Sequence, residues 1–320
     1  MIKKLIFSLL VVQQSIAQSY APPAGEIGST AIHKDSSIII GWATDCAITR
    51  GYQNIADQSL GLADFGDFSV VPGEADGSDV VSLGDGGSAI VTFPWSIVNG
   101  PGPDFAIFEN SFSETFLELA FVEVSSDGIN YYRFPAVSET QTDTQIGGFG
   151  AVDCRYIHNL AGKYKSKYGT PFDLEDLIDS VGLDLDNINF IKVIDVVGSI
   201  DVQYGSQDYL GNMINDPFPT PFGSSGFDLD AIGVIHQATQ GVENVNSATI
   251  SFYPNPTDGI LNIKSEEQGK YILLSTQGRI VKEGEFPKTF TLNFSTEKKG
   301  VYLLKVITES GVIIQRIIKQ

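Results

Sequence analysis

Residues 104–128 read DFAIFENSFSETFLELAFVEVSSDG. Within this stretch, residues 104–109 and 120–125 alternate between apolar and polar side chains, the spacing of a β-strand that buries one face. Asp127 and Gly128 then interrupt the second run, and both residue types favour turns. The stretch therefore predicts two β-strands that contribute to one core.

The same kind of pattern continues on both sides of this stretch. Residues 38–43, 80–83, 88–93, 190–197 and 226–235 form further strand-like runs, and the turn at 84–87 predicts a hairpin between the second and third of them. One helical signal lies at residues 174–179, with Asp173 as a possible N-cap. We therefore predict an all-β fold, a jelly-roll β-sandwich, for residues 18–238.

The first seventeen residues have the pattern of a secretory signal peptide. Lys3 and Lys4 precede the apolar run 5–12, and Ser15 and Ala17 are the small residues that a signal peptidase requires. A bilayer span needs about 20 apolar residues, which this run does not reach. We expect a mature chain that begins near Gln18 and is not transmembrane.

The C-terminal part, residues 248–320, contains six or seven short strand-like runs separated by turns, which predicts a second, small sandwich. Residues 239–247 are polar and lack periodicity, so they are predicted to be a linker between the two domains.

Several short motifs in this tail are distinctive in combination: residues 253–256 (YPNP), Gly259, residues 277–279 (QGR), residues 300–302 (GVY) and Lys319. Together they resemble the type A C-terminal sorting domain of cargo proteins of the type IX secretion system. The resemblance implies an Ig-like fold, recognition by that secretion machinery, and export through the periplasm to the outer cell surface or the medium.

Charge is distributed unevenly along the chain. The chain carries a net charge of −19, but residues 18–247 alone contain eight bases against thirty-two acids, a net charge of −24. A surface of this sign repels polyanions, which excludes nucleic acid as a partner.

The two cysteines, Cys46 and Cys154, both lie in this acidic part. In an exported protein an even pair of cysteines predicts one disulfide.

The acidic part also has distinctive motifs, at residues 82–87, 100–110, 118–128, 161–164, 169–174 and 226–231. They resemble an uncharacterised family of exported bacterial cell-surface proteins. The resemblance implies a galactose-binding-like jelly roll, and a glycan is then the default ligand. Capture of a small molecule such as a corrinoid for uptake is an alternative.

Carboxylates and amides cluster around Gly-rich turns and strand ends, as Ca²⁺ sites require, and Asp228 and Asp230 would share one side of a strand. The acidic part has few bases to separate neighbouring carboxylates, which favours a structural Ca²⁺ ion. The alternative is that these residues are solvated turn residues. The candidate ligands are Asp76, Asp79, Asp85, Asp104, Glu109, Asn110, Asp127, Asp228 and Asp230.

Three functions remain open at this point. Exposed aromatic side chains, with Trp95, Tyr204 and Tyr209 as candidates, would support a non-catalytic glycan-binding domain, which we favour. Glu109 and Glu123 lie within apolar runs and could form the acid and nucleophile of a glycan hydrolase. A purely structural adhesion protein is the third alternative.

Overall fold

The computed structural model describes residues 20–238, 250–275, 279–308 and 311–320. The chain divides into two units, Met1–Ala238 and Thr239–Gln320. The predicted signal peptide (1–17) and linker (239–247) lie outside the described residues. Within the described parts, no helix is long and apolar enough to span a bilayer.

The regular secondary structure of the first unit is almost entirely β-strand, with long loops between the strands. Its strands are β1 (Ile32–His33), β2 (Gly41–Trp42), β3 (Asp45–Thr49), β4 (Val81–Ser82), β5 (Ser88–Ile97), β6 (Phe105–Glu109), β7 (Ala120–Ser125), β8 (Tyr132–Arg133), β9 (Val137–Ser138), β10 (Ile157–His158), β11 (Tyr168–Phe172), β12 (Ile188–Asp195) and β13 (Asp228–Val234). Short 3₁₀ helices span Gln58–Leu60, Phe68–Val70, Cys154–Tyr156 and Leu174–Leu177.

These strands form two main antiparallel sheets. One has the order β1-β11-β6-β13-β2, with β4 also paired to β13, and the other has the order β3-β5-β12-β7-β8. The inward side chains of both sheets share one apolar cluster, in which Phe105 and Leu229 from the first sheet meet Val91 and Val193 from the second. This arrangement confirms the predicted all-β sandwich.

Strands β6 and β13 are buried on both faces. Every residue of each strand is buried, although the alternation at 104–109 predicted one exposed face. The outer face of this sheet is covered by a second apolar cluster that includes Ile32, Ala75, Phe108 and Ile235. Because both faces are covered, polar residues in these strands lie in the interior.

Three local predictions need correction. The run 80–93 is not a hairpin, because β4 pairs with β13 while β5 pairs with β3 and β12 in the other sheet. Of residues 38–43, only Gly41–Trp42 are in a strand. The helical signal at 174–179 is a single 3₁₀ turn, capped by the Asp173 side chain as predicted.

The predicted disulfide is also wrong. Cys46 and Cys154 are both buried and free. Cys46 belongs to the cluster between the two sheets, and Cys154 belongs to a different cluster around Tyr164 and Ile157. Burial raises the pKa of the Cys46 thiol to about 12 and that of Cys154 to about 11.

The second unit is a smaller sandwich. Its strands are β14 (Ile250–Tyr253), β15 (Ile260–Ser265), β16 (Gly269–Ser275), β17 (Ile280–Phe286), β18 (Thr289–Asn293), β19 (Gly300–Thr308) and β20 (Gly311–Lys319). They form sheets of order β14-β15-β18 and β17-β16-β19-β20. Alternate residues such as Leu261, Leu273 and Leu304 fill a core between the sheets, which agrees with the predicted small sandwich.

We expect Phe105→Ala to destabilise the first unit by about 3–5 kcal/mol. The Phe105 ring is buried and stacks on the Phe172 ring with centroids 5.3 Å apart, so its removal would leave a cavity. Phe112→Ala removes a ring that is 74% exposed and should cost less than about 0.5 kcal/mol. Denaturant unfolding of both variants tests this, and equal losses would contradict the assignment of the core.

Candidate cation site

Three carboxylates meet in the interior of the first unit. Glu109 ends β6, Asp228 begins β13, and Glu118 lies two residues before β7. Glu109 pairs across the sheet with Leu229, which brings Asp228 beside it. One oxygen from each of the three carboxylates lies within 4.8 Å of the others. Strand ends from both sheets therefore converge on one point.

All three side chains are buried, and Glu109 is only 2% exposed. Burial, together with the negative charge of Asp228, raises the pKa of Glu109 well above its ordinary value, and the same two causes act on Glu118. Burial raises the pKa of Asp228 to about 6. The protein environment alone therefore disfavours three charged carboxylates.

Positive charge near the cluster is scarce. None of the ion pairs found among the described residues includes Glu109, Glu118 or Asp228. Arg50 lowers the pKa of Asp228 slightly, but its guanidinium donates to the carbonyls of Phe65, Gly66 and Ser82.

Hydrogen bonds satisfy the cluster only in part. Asp228 accepts from the Ser82 hydroxyl and from the Asn110 amide, while Glu109 Oε2 accepts from the Ser111 N–H at 2.8 Å. Glu109 Oε1 is buried without a partner. A buried polar atom without a partner costs about 1–3 kcal/mol, so the cluster has capacity for a further ligand.

A proton or a cation can fill that capacity. Ca²⁺ takes six to eight oxygen ligands and accepts bidentate carboxylates. Three carboxylates, with Asn110 beside them, fit the donor chemistry of this ion. Of the nine ligands that the sequence suggested, this group contains Glu109 and Asp228, with Asn110 bonded to it.

Glu118 was missed by sequence reasoning, although it had a signal. It stands between Leu117 and Leu119 in an apolar run, and burying a charged residue there is costly unless it has a partner.

Buried aspartates outside the group have a different task, which is to hold loops by accepting backbone hydrogen bonds. Asp104 accepts from Gly100 and Leu174 N–H groups, both at 2.7 Å. Asp230 accepts from Asp76 and Gly77. Three more carboxylates accept from backbone N–H groups in the same way. Asp85 accepts from Ile55, Asp195 from Gly86 and Phe227, and Asp216 from Leu119.

The remaining predicted ligands lie at turns. Asp76 accepts from Ser78 and Asp79, and Asp127 accepts from Ile129 and Asn130. The structure does not bring Asp76, Asp79, Asp85, Asp104, Asp127 or Asp230 into the three-carboxylate group.

Glu123 does not pair with Glu109. Its carboxylate binds Arg133 at 2.8 Å, and Lys192 Nζ lies 3.9 Å away, because both bases are its cross-strand neighbours. These ion pairs hold Glu123 on the face of β7 opposite Val122 and Val124, which point into the core. The structure therefore gives no support to the predicted acid–nucleophile pair.

The predicted aromatic ligands Trp95, Tyr204 and Tyr209 make no ring contacts with one another among the described residues. Trp95 lies on β5, and Tyr209 is an exposed loop residue. The structure instead aligns four phenylalanines, here called the Phe row: Phe112, Phe116, Phe149 and Phe222.

Ring centroids in the Phe row are 4.5 Å apart for Phe112–Phe116, 6.2 Å for Phe116–Phe149 and 5.9 Å for Phe149–Phe222. Phe149 is 75% exposed, and Phe112 is nearly as exposed. No sequence pattern predicts this row, because its members come from three separate loops.

In calcium-free protein the buried carboxylates should make stability depend on pH. The folded pKa of Asp228, about 6, exceeds its ordinary value of 3.8, so its stabilising effect is complete below about pH 4 and is lost as pH rises through 6. The loss is about 3 kcal/mol for Asp228 alone. Thermal melts at several pH values, with and without Ca²⁺, should therefore show a calcium-induced rise that grows from pH 5 to pH 8. A rise that is absent or independent of pH would contradict the cation site.

Asp104→Ala and Glu118→Gln should fail in different ways. Asp104→Ala removes the acceptor of the Gly100 and Leu174 N–H groups and the partner of the His236 ring. It should lower stability by about 2–5 kcal/mol, while the calcium response of the melting temperature is kept. Glu118→Gln should remove most of that response. Thermal melts of both variants with and without Ca²⁺ test whether Asp104 anchors loops and Glu118 binds the cation. Loss of the calcium response in the Asp104 variant alone would contradict both roles.

Residues 251–320 match the family described as the secretion system C-terminal sorting domain. This match supports export of the chain as cargo of the type IX secretion system, to the cell surface or the medium, and recognition of the tail by that machinery.

Solved structures similar to the chain include a β-glucuronidase from Ruminococcus gnavus bound to D-glucaro-δ-lactam, at 13% identity over 73% of this chain and 36% of that one, with a TM-score of 0.20. The apo form of that enzyme matches at 12% identity over 80% of this chain and 38% of that one, with a TM-score of 0.19. The chain thus spans little more than a third of the length of these proteins, and TM-scores of this size carry no functional argument. No curated protein matches the chain.

Proposed function

We propose that the first unit is a non-catalytic glycan-binding domain, stabilised by Ca²⁺ and delivered outside the cell by the sorting domain. The observation that carries this proposal is the Phe row. Exposed aromatic rings in one contiguous row are costly to leave in water, and such patches on exported domains are typical of binding surfaces. Flat rings stack on the apolar faces of sugar rings.

The electrostatics of the domain favour a neutral glycan for this surface. The net charge of −24 over residues 18–247 opposes the approach of a polyanion. Phenylalanine rings offer no hydrogen bonds, so the Phe row would supply contact area while nearby backbone and hydroxyl groups orient the sugar.

The three carboxylates connect to the Phe row through the chain. Phe112 and Phe116 lie in the loop between Glu109 and Glu118, and Phe222 lies six residues before Asp228. Glu109 accepts from the Ser111 N–H, and the Ser111 hydroxyl donates to the Phe116 carbonyl, so the carboxylate anchors this loop directly. A cation that binds the three carboxylates would therefore fix the loops that display the rings.

The loop that carries Phe149 is bonded to the first loop, and the loop that carries Phe222 is bonded to the loop of Phe149. The Val152 N–H donates to the Thr115 carbonyl at 2.8 Å, and the Phe218 N–H donates to the Ile146 carbonyl at 3.0 Å. These bonds give the row a defined shape before a ligand arrives, which lowers the entropic cost of binding.

Catalysis is the less favoured function. A glycosidase needs two carboxyl groups that flank an accessible bond about 5–10 Å apart. Glu123 is engaged by two bases, and the three-carboxylate group is buried away from a polymer.

Phe149→Ala and Phe222→Ala should each weaken binding to a neutral glycan by about two- to tenfold, since an aromatic contact contributes about 0.5–1.5 kcal/mol. The matched control is Phe68→Ala, an equally exposed phenylalanine outside the row (47% exposed, as Phe222 is). The purified protein would be tested on immobilised cello-, xylo-, manno- and galacto-oligosaccharides, with calcium and after its removal.

Binding that needs the Phe row, falls without calcium and leaves the sugars intact supports the proposal. Release of shortened sugars would establish the hydrolase instead. Failure to bind any of these glycans would refute the proposal and return capture of a small molecule such as a corrinoid, or structural adhesion, as the working function.

A further inference from the structure

A cavity of about 590 Å³ lies elsewhere in the first unit. Its walls come from the N-terminal segment at Tyr20 and Thr30, from the end of β10 at His158, and from the residues around β11 and the 3₁₀ helix that follows it. None of the three buried carboxylates and no member of the Phe row lines it. It is therefore a site independent of the surface described above.

The cavity contains a buried lysine that lacks a carboxylate partner. Lys163 is 5% exposed, and its Nζ donates to the Ile157 carbonyl at 2.7 Å. It belongs to none of the ion pairs among the described residues, although acids outnumber bases fourfold in residues 18–247.

An ammonium group carries three donors, so one carbonyl leaves most of its capacity open. Burial lowers the pKa of Lys163 to about 8, which still leaves it mostly charged at neutral pH. An unpaired buried cation is costly, and an anion within hydrogen-bonding distance would remove that cost.

A stacked aromatic pair lies beside this lysine. The Tyr20 and His158 rings stack at 4.8 Å with planes 3° apart. Lys163 Nζ is 5.8 Å from the centroid of the Tyr20 ring, and all three residues line the cavity, so a ligand bound to the ammonium group would lie close to the aromatic pair.

Hydrogen-bonding groups on the rim complete the site. The Asn159 amide donates to Asp176 Oδ2 at 2.9 Å. Asp173 and Thr170 also line the cavity, and the Thr170 hydroxyl accepts from the Lys163 backbone N–H at 3.2 Å. Carboxylate, amide and hydroxyl groups in this arrangement can accept from and donate to the hydroxyls of a sugar.

We propose that this cavity binds a monosaccharide that carries a carboxylate. The carboxylate pairs with Lys163, the sugar ring packs against the stacked pair of Tyr20 and His158, and the hydroxyls bond to Asp176 and Asn159. The proposal goes beyond the Phe row, and it stands whether or not the row binds a neutral glycan.

The test is titration of the purified protein with D-galacturonic acid, with neutral D-galactose and with acetate, followed by calorimetry or NMR. Galacturonic acid should bind more than tenfold tighter than either galactose, which lacks the charge, or acetate, which lacks the ring. Lys163→Met should abolish this preference, whereas Lys165→Met, at a lysine paired with Glu114 outside the cavity, should keep it.

Tyr20→Ala gives a second readout if the Lys163 variant does not fold, because Tyr20 is only partly buried. Its loss should weaken the binding of galacturonic acid at least severalfold. Phe149→Ala should leave this binding unchanged, which separates the two sites. Equal affinity for galactose and galacturonic acid, no binding of either, or unaltered preference in the Lys163 and Tyr20 variants would each overturn the proposal.

Discussion

Carboxylates buried between covered sheets are the constraint on which the first unit depends. Because β6 and β13 are enclosed on both faces, every acid on them must find a proton, a donor or a cation. Asp104 and Asp230 find backbone N–H groups and so fix the loops around them. Glu109 keeps one buried oxygen without a donor beside Glu118 and Asp228, which makes these three carboxylates the candidate cation site.

The same solution explains how a unit with short strands and long loops remains ordered. Asp195 accepts from Gly86 and Phe227, and Asp216 accepts from Leu119, so each ties segments distant in sequence. Part of the acidic composition of residues 18–247 therefore lies inside the domain, where it holds loops.

The sequence was sufficient where the signal was local. Strand alternation predicted β7 and β12, and the motifs between residues 253 and 319 predicted the sorting domain. It failed where tertiary contacts decide. A tight turn at 84–87 cannot show that its flanking strands belong to different sheets, and two cysteines in an exported chain cannot show that separate clusters hold them apart. The Phe row joins three loops, and no spacing rule connects residues 112, 149 and 222.

The two free cysteines have a consequence for the route that the protein takes. Thiolates are the reactive form of cysteine, and burial keeps both thiols protonated and out of reach of oxidants. A domain built this way needs no oxidase or isomerase to mature. In an oxidising environment it would not form mixed disulfides with the proteins it meets, and its two cysteines would keep the same covalent state that they have in a reducing one.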